Sequence, residues 1–255
     1  AKDFQKLLLP ITFAVPNKIR PVLSGLSFNT FDNQIKTAGS DAKRLMEVTA
    51  IIPDAPDRIH MKLIIPPETI KVLQKIVTDD SEMVSIYGGE KDFSIEYKNV
   101  LVNSSILAFE YPDYAKKMLI RDEYKTMFCI NKAELKQSIS RALICLEKMD
   151  VPKARINIST INVNLSGGAS NSFFDENIDI KEFEGNDNEV ILNLKSLRDS
   201  ISLIDTDNVI IKMTNETEKN PVFIENDATY HNESCSYLMF IAPIRDIEDL
   251  NNLTK

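Results

Sequence analysis

The chain has 255 residues, 43% of them hydrophobic and 27% charged, and carries a formal net charge of −8. That length allows one large domain or two ordinary ones with proper cores. The acidic balance argues against gripping a nucleic acid with the whole surface, though not against a local basic face.

Residues 4–14 read as a helix that Pro10 interrupts or kinks. Strands are expected at Leu26–Thr30, Gln34–Ala38 and Leu45–Ile52, then a loop at Pro53 and Pro56, then a strand at Leu63-Ile64-Ile65 ending at Pro66-Pro67. Residues 68–77 form the clearest helix of the first half: Ile70, Leu73, Ile76 and Val77 share one face, with Lys71, Gln74 and Lys75 on the other. Asp79-Asp80 breaks it. Met83–Tyr87, Asp92–Tyr97 and Val100–Ala108 follow as strands, with Gly88-Gly89 as a hairpin turn. Arg121-Asp122-Glu123 is a charged connection, and the expected domains are 1–122 and 123–255.

Tyr124–Ile130 starts a new strand, and Asn131 caps a helix over 132–146. Its apolar stripe is Leu135, Ile139, Ala142/Leu143 and Leu146; Lys132, Lys136, Gln137, Ser140 and Arg141 fall outside it. Strands are expected at Arg155–Ser159, Ile161–Leu165 and Asn177–Phe183, with a loop over Gly167–Asn171. The order of residues 63–97 then returns: strand Val190–Leu192, helix Lys195–Ile204 with Leu197, Ile201 and Ile204 on one face, an acidic break at Asp205 and Asp207, and strands Val209–Met213 and Val222–Glu225. The displacement is roughly 127 to 129 residues, which points to two α+β domains of similar design, each with helices on one face of an antiparallel-rich sheet.

Apolar residues stand beside an arginine in Arg20–Gly25, in Ser40–Leu45 and in Phe240–Arg245. Such segments, distant in sequence, suit a groove with an apolar floor and charged rim, the form of a peptide-binding site; ordinary core is the alternative. The cations outside the helix stripes read by themselves as solvated faces. Asp79-Asp80 and Asp205/Asp207 occupy the same helix-to-strand turn in both repeats, which is turn chemistry rather than a metal site for phosphoryl transfer. Gly167-Gly168 is not followed by Gly-Lys-Ser/Thr, so it is not a P-loop. Cys129, Cys145 and Cys235 are odd in number without CxxC spacing and read as buried reduced thiols. His60 and His231 alone supply neither a zinc site nor a nucleophile–histidine dyad. No catalytic residue, metal or cofactor is expected. No run of about 18 apolar residues can span a membrane, and Ala1-Lys2-Asp3-Phe4 does not open a signal peptide, so the expectation is a cytoplasmic protein without a membrane partner.

Arg20-Pro21-Val22-Leu23-Ser24-Gly25, Ser40-Asp41-Ala42-Lys43-Arg44-Leu45, Tyr111-Pro112-Asp113-Tyr114 and Ala242-Pro243-Ile244-Arg245, in this order and spacing, resemble the bacterial DNA polymerase III beta subunit, the sliding clamp. The resemblance covers the second and third of that family's three domains. It implies the DNA clamp fold: residues 1–122 as a middle domain lacking its first strand, and 123–255 as a C-terminal domain with a short extra tail, Asp246–Lys255. It implies a non-catalytic processivity factor that encircles duplex DNA and tethers polymerase through a hydrophobic groove. The groove residues so implied are Leu23, Ser40, Arg44, Leu45, Pro112, Phe240, Ile241, Ala242, Pro243, Ile244 and Arg245. The DNA-facing set is Arg20, Lys71, Lys75, Lys132, Lys136, Arg141, Lys195 and Arg198. Implied partners are duplex DNA read without sequence preference, the DNA polymerase III catalytic subunit, the clamp loader and other proteins with short clamp-binding motifs. The family's commoner Thr-Asp-Gly-His-Arg-Leu is here Ser-Asp-Ala-Lys-Arg-Leu, and its Met-Pro-Met-Arg or Leu-Pro-Val-Arg is Ala-Pro-Ile-Arg, so Lys43 and Ala242 change the rim and floor. Full-length relatives form head-to-tail homodimers; this span is expected to be a monomer. The rival readings are a truncated adaptor that binds peptides without encircling DNA, and an enzyme that uses the acidic turns.

Overall fold

The computed structural model describes residues 1–14, 20–52, 60–79, 81–89, 91–115, 120–169, 172–227 and 235–245. The expected loop at Pro53 and Pro56, Asp80, His231 and the tail Asp246–Lys255 lie outside them. The chain forms two compact units, 1–113 with 231–238, and 114–230 with 239–255.

In the first unit, α1 (Lys2–Leu7) buries Phe4 and Leu7. It gives way to a 3-10 turn, Leu9–Thr12, because Pro10 has no N–H and its ring obstructs a continuing α-helix. Strands β1 (Leu26–Phe31), β2 (Gln34–Ser40), β3 (Arg44–Ile51) and β4 (Lys62–Ile65) pair antiparallel in the order β4-β1-β2-β3. The registers Leu26–Ile65, Ser27–Ala38 and Gln34–Ile51 fix them. Helix α2 (Pro67–Ile76) starts on a proline, whose missing N–H costs nothing in a first turn, and buries Ile70 and Leu73. Val77 is buried just past its end, while Ile76 is only half-buried. Strands β5 (Val84–Gly88), β6 (Asp92–Tyr97) and β7 (Val100–Ser105) make a separate meander. Phe93, Ile95 and Tyr97 alternate into the core. β7 ends before the expected Ala108, because Leu107 N–H instead donates to the Ile64 carbonyl at 2.9 Å.

In the second unit, β8 (Thr126–Asn131), α3 (Lys132–Cys145), β9 (Lys153–Ile158), β10 (Asn162–Ala169), β11 (Ser172–Gly185), β12 (Asn188–Asn193), α4 (Leu194–Ile201), β13 (Asn208–Met213) and β14 (Val222–Asn226) follow in sequence. The strand order is β12-β9-β10-β11-β8-β13-β14. Both helices open on the same device: Asn131 Oδ1 accepts from Glu134 N–H at 3.0 Å, and Asn193 Oδ1 from Ser196 N–H at 3.1 Å. The helices pack on each other and on the sheet through Leu135, Ile139 and Ala142 of α3 and Leu194, Leu197 and Ile201 of α4. The strand–helix–strand–strand order of β4-α2-β5-β6 recurs as β12-α4-β13-β14, the repeat anticipated from sequence. Strand β15 (Cys235–Ile241) contributes Cys235–Leu238 to the first unit and Met239–Ile241 to the second.

Several expectations change. The boundary between units falls after Asp113, not Asp122. The charged connection belongs to the second unit, where Arg121 Nε stands 3.5 Å from Glu225 Oε1. Gly167 and Gly168 are not a loop but part of β10, opposite Phe174 and Phe173; a Cβ at Gly167 would lie 3.1 Å from the Phe174 ring, so the glycine makes room for it. β11 is longer than Asn177–Phe183: it pairs with β10 up to Asp179 and with β8 from Ile180, and its register against β8 shifts between Ile180 and Glu182. α4 stops at Ile201 rather than Ile204, where the Ser200 and Ser202 hydroxyls turn back to the Ser196 and Arg198 carbonyls. Cys129 and Cys235 are buried thiols, but Cys145 is only partly covered. Among the described residues, no helix is long and apolar enough to cross a membrane.

Candidate functional site

In the first unit, the candidate residues gather at the β2–β3 turn. Asp41 Oδ1 accepts from Lys43 N–H (2.9 Å) and Arg44 N–H (2.7 Å), and Oδ2 accepts from Arg44 Nε at 2.9 Å. Ser40 Oγ donates to the Arg44 carbonyl at 2.7 Å and accepts from Ala42 N–H at 3.1 Å. The Arg44 guanidinium also lies 4.5 Å from the Phe13 ring centre, a cation–π contact. Arg44 is therefore held in place before any ligand arrives, with its side chain 15% exposed. Lys43 is exposed. Leu23 and Leu45 are buried in the unit's core, while Pro112 is exposed. Beside Pro112, burial pushes the Tyr111 hydroxyl well above the usual phenol range.

The turn is closed by Ala42 at φ 71°, the left-handed region that costs an L-residue about 1 kcal/mol. Ala42→Gly is expected to stabilise the chain by about 0.5–1 kcal/mol, read as a higher denaturant midpoint. An unchanged or lower midpoint would show that the turn's hydrogen bonds leave no strain to relieve.

In the second unit, the candidate stretch lies at the end of β15. Phe240 and Ile241 close β15 as buried residues, Phe240 meeting Phe223 edge-on at 6.4 Å. Beyond them the chain leaves the sheet: Ala242 and Arg245 are exposed, Pro243 and Ile244 half-buried. Ile244 N–H donates to the Ile191 carbonyl at 2.8 Å, which pins this segment to β12, the outermost strand of the unit's sheet. Two cavities meet at Ile244. One, of about 520 Å³, has Met149, Ile191 and Ile244 as apolar lining and Lys153, Arg155 and Arg245 as cations. The other, of about 210 Å³, is lined by Pro243, Ile244, Ile191, Arg155, Glu189 and Glu218. Arg155 is ion-paired with Glu189. Met149, Lys153, Arg155, Glu189 and Ile191 escaped the sequence reading. For Lys153 and Arg155 the signal was the period of two along β9, which buries Ala154 and Ile156 and turns these two to the opposite face.

The basic faces divide into committed and uncommitted cations. Lys132, expected to face DNA, instead donates through Nζ to the Ile204 carbonyl at 2.7 Å. Burial, and then neighbouring Lys136, holds its pKa below the usual lysine value. Arg141 grips Glu176 with Nε at 2.9 and 3.1 Å and Nη2 at 2.6 Å, holding that carboxyl below its usual range. Arg198 pairs with Asp199 at 3.3 Å. In these three, neighbouring groups already take charge or donors. Lys71 and Lys75 on α2, Lys136 on α3 and Lys195 on α4 have no such partner among the described residues, and Arg20 is exposed.

Asp79 and Asp207 of the acidic turns make local contacts. The Ser81 hydroxyl and then Lys98 hold Asp79 down at about 2, and its N–H donates to the Tyr97 hydroxyl at 3.0 Å. The Asp207 carbonyl accepts from Lys132 N–H at 2.9 Å. Among the described residues no group of three or more His, Cys, Asp or Glu is placed to hold a metal. Burial pushes the Cys129 thiol up to about 11 and leaves it unreactive at neutral pH.

Comparison with known proteins agrees with this architecture. The family described as DNA polymerase III beta subunit, central domain, matches residues 1–113. The beta sliding clamp of Halalkalibacterium halodurans is 26% identical over 219 residues, 84% of this chain and 57% of that protein. The beta sliding clamp of Staphylococcus aureus is 24% identical over 213 residues, 83% of this chain and 55% of that protein. The chain thus spans little more than half the length of these relatives. Among solved structures, the DNA polymerase III beta chain of Streptococcus pneumoniae superposes with a TM-score of 0.84 at 21% identity, covering 96% of this chain and 63% of that one. The DNA polymerase sliding clamp of Bacillus subtilis gives 0.84 at 22% identity with the same coverage. The fold is the α+β DNA clamp fold.

Proposed function

Because this chain is a relative of the bacterial DNA polymerase III beta subunit in sequence and fold, we propose that it serves as a sliding-clamp component of DNA replication, a non-catalytic protein that holds its partners through short peptides. The observation that carries this reading is the Pro243–Arg245 segment, fixed to β12 by the Ile244–Ile191 hydrogen bond and open to cavities on either side. A few apolar anchors set into such cavities supply most of the energy of peptide binding. Phe240 and Ile241 are the buried support of this segment in the second unit. In the first unit, Pro112 and the turn bearing Arg44 are the proposed peptide contacts, with Leu23 and Leu45 as their buried support. Titration calorimetry with a Gln-Leu-x-Leu-Phe-type peptide tests the reading. Saturable binding at one site is expected; no binding by the folded protein would overturn it.

Contact with duplex DNA is proposed through Lys71, Lys75, Lys136 and Lys195, which would meet phosphates without reading bases. Neutralising all four is expected to lower the slope of log affinity against log salt by up to about four units of charge, with no change in sequence preference. Arg141→Gln should leave the slope nearly unchanged, because Glu176 already holds that charge. Equal slopes for the fourfold variant and the unaltered protein would reduce these lysines to solvated faces.

The commitment of Lys132, Arg141 and Arg198 to neighbours favours a second reading, an adaptor that binds peptide and does not stay on DNA. The proposed state of this span alone is a monomer, acting in the cytoplasm. Light scattering together with retention on nicked circular DNA separates the two readings: a stable multimer that stays on the circle makes the span a clamp by itself.

A further inference from the structure

We propose that Asp41 is a positioning residue for peptide binding: its carboxylate sets the orientation in which Arg44 meets the peptide. This rests on the proposed peptide contact of the β2–β3 turn. Asp41 divides its work between two oxygens. Oδ1 accepts from Lys43 N–H at 2.9 Å and Arg44 N–H at 2.7 Å, which shapes the backbone. Oδ2 accepts from Arg44 Nε at 2.9 Å, which holds the side chain. The Asp41 and Arg44 side chains are 18% and 15% exposed. This pair is thus shielded from the water and salt that loosen ion pairs on an open surface. The Phe13 ring, with its centre 4.5 Å from the guanidinium, supports the same group at a second point.

The backbone of the turn has supports that do not involve Oδ2. Ser40 Oγ at 2.7 Å and Asp41 N–H at 3.2 Å both donate to the Arg44 carbonyl, and Ala42 N–H donates to Ser40 Oγ at 3.1 Å. The course of the chain and the direction of the Arg44 side chain are therefore separable. An arginine already ordered by a carboxylate gives up less rotamer freedom when a ligand arrives. Asp41 acts on the peptide through that order, without touching it.

Asp41→Asn separates the two roles. Its amide oxygen can still accept from Lys43 and Arg44 N–H, while its amide nitrogen faces Arg44 Nε, donor against donor. Calorimetry with a Gln-Leu-x-Leu-Phe-type peptide is expected to show affinity lower by roughly threefold to tenfold. The denaturant midpoint should stay above that of Asp41→Ala, which loses both roles. Made in an Arg44→Met chain, Asp41→Asn should lower affinity no further, because the side chain it positions is gone; a merely structural role would cost the same in both backgrounds. Proton–nitrogen NMR gives a readout without peptide. The Arg44 Nε–H signal, identified by its loss in Arg44→Met, should exchange with water faster in Asp41→Asn. Undiminished affinity in folded Asp41→Asn, an equal loss in both backgrounds, or an unchanged exchange rate would each overturn the positioning role and leave peptide binding standing. Failure of the unaltered chain to bind the peptide would overturn both.

Discussion

Ile244→Asp is expected to weaken a Gln-Leu-x-Leu-Phe-type peptide by at least about tenfold, while the thermal midpoint stays close to that of the unaltered chain. Ile244 is half-buried and lines both cavities, so an aspartate there removes apolar floor where an anchor would rest. Its backbone N–H still reaches the Ile191 carbonyl, so the segment keeps its course. Leu45→Ala is the informative contrast. Leu45 is 3% exposed, so its truncation leaves a hole in the first unit's core and should cost about 2–5 kcal/mol of stability. Calorimetry and thermal melts on both variants decide the matter. Unchanged affinity in folded Ile244→Asp would remove this residue from the site.

Gly39→Ala is expected to destabilise the first unit by about 3 kcal/mol. A Cβ at this position would overlap the Pro10 carbonyl oxygen, with the carbonyl carbon only 2.5 Å away. The obstacle is backbone, held by the 3-10 turn of Leu9–Thr12, and Gly39 is buried in β2 between β1 and β3. Neither side can yield cheaply. Gly89→Ala is the control: the atoms its Cβ would meet belong to the Asp92 side chain, which can rotate away. Denaturant titration followed by a probe in each unit should show the first unit's midpoint falling for Gly39→Ala and little change for Gly89→Ala. Equal midpoints would mean that the Leu9–Thr12 turn shifts freely.

The elements most legible in the sequence were those fixed by local chemistry. Asn131 announced α3, Pro66-Pro67 announced the end of β4 and the start of α2, and the helix stripes named Ile70, Leu73, Leu135, Ile139, Leu197 and Ile201 as core. What escaped depends on partners distant in sequence. Strand β15 ends in Met239-Phe240-Ile241, all buried, and such a run does not show the alternation of a half-exposed strand. β11 changes partner from β10 to β8 at Ile180, a matter of strands distant in sequence that no local pattern records. At the proposed groove, adjacent residues were assigned to one surface. Yet neighbours along a strand point to opposite faces, as half-buried Arg44 and buried Leu45 do. The helix stripes likewise separated Lys132 and Arg141 from the core without revealing that Ile204 and Glu176 would take up their donors.

The bond from Ile244 to Ile191 also bears on how the protein behaves in a crowded solution. β12 is the outermost strand of its sheet, and an uncovered strand edge invites the edge of another molecule to pair with it, the first step toward amyloid-like stacking. Here the chain lays its own Pro243–Arg245 segment on that edge: Ile244 occupies the Ile191 carbonyl, and Pro243 has no N–H to offer a newcomer. The segment proposed to receive partners thus doubles as a guard against self-association. Substitutions that loosen it should therefore appear first as lost solubility on storage, before any loss of helix or sheet.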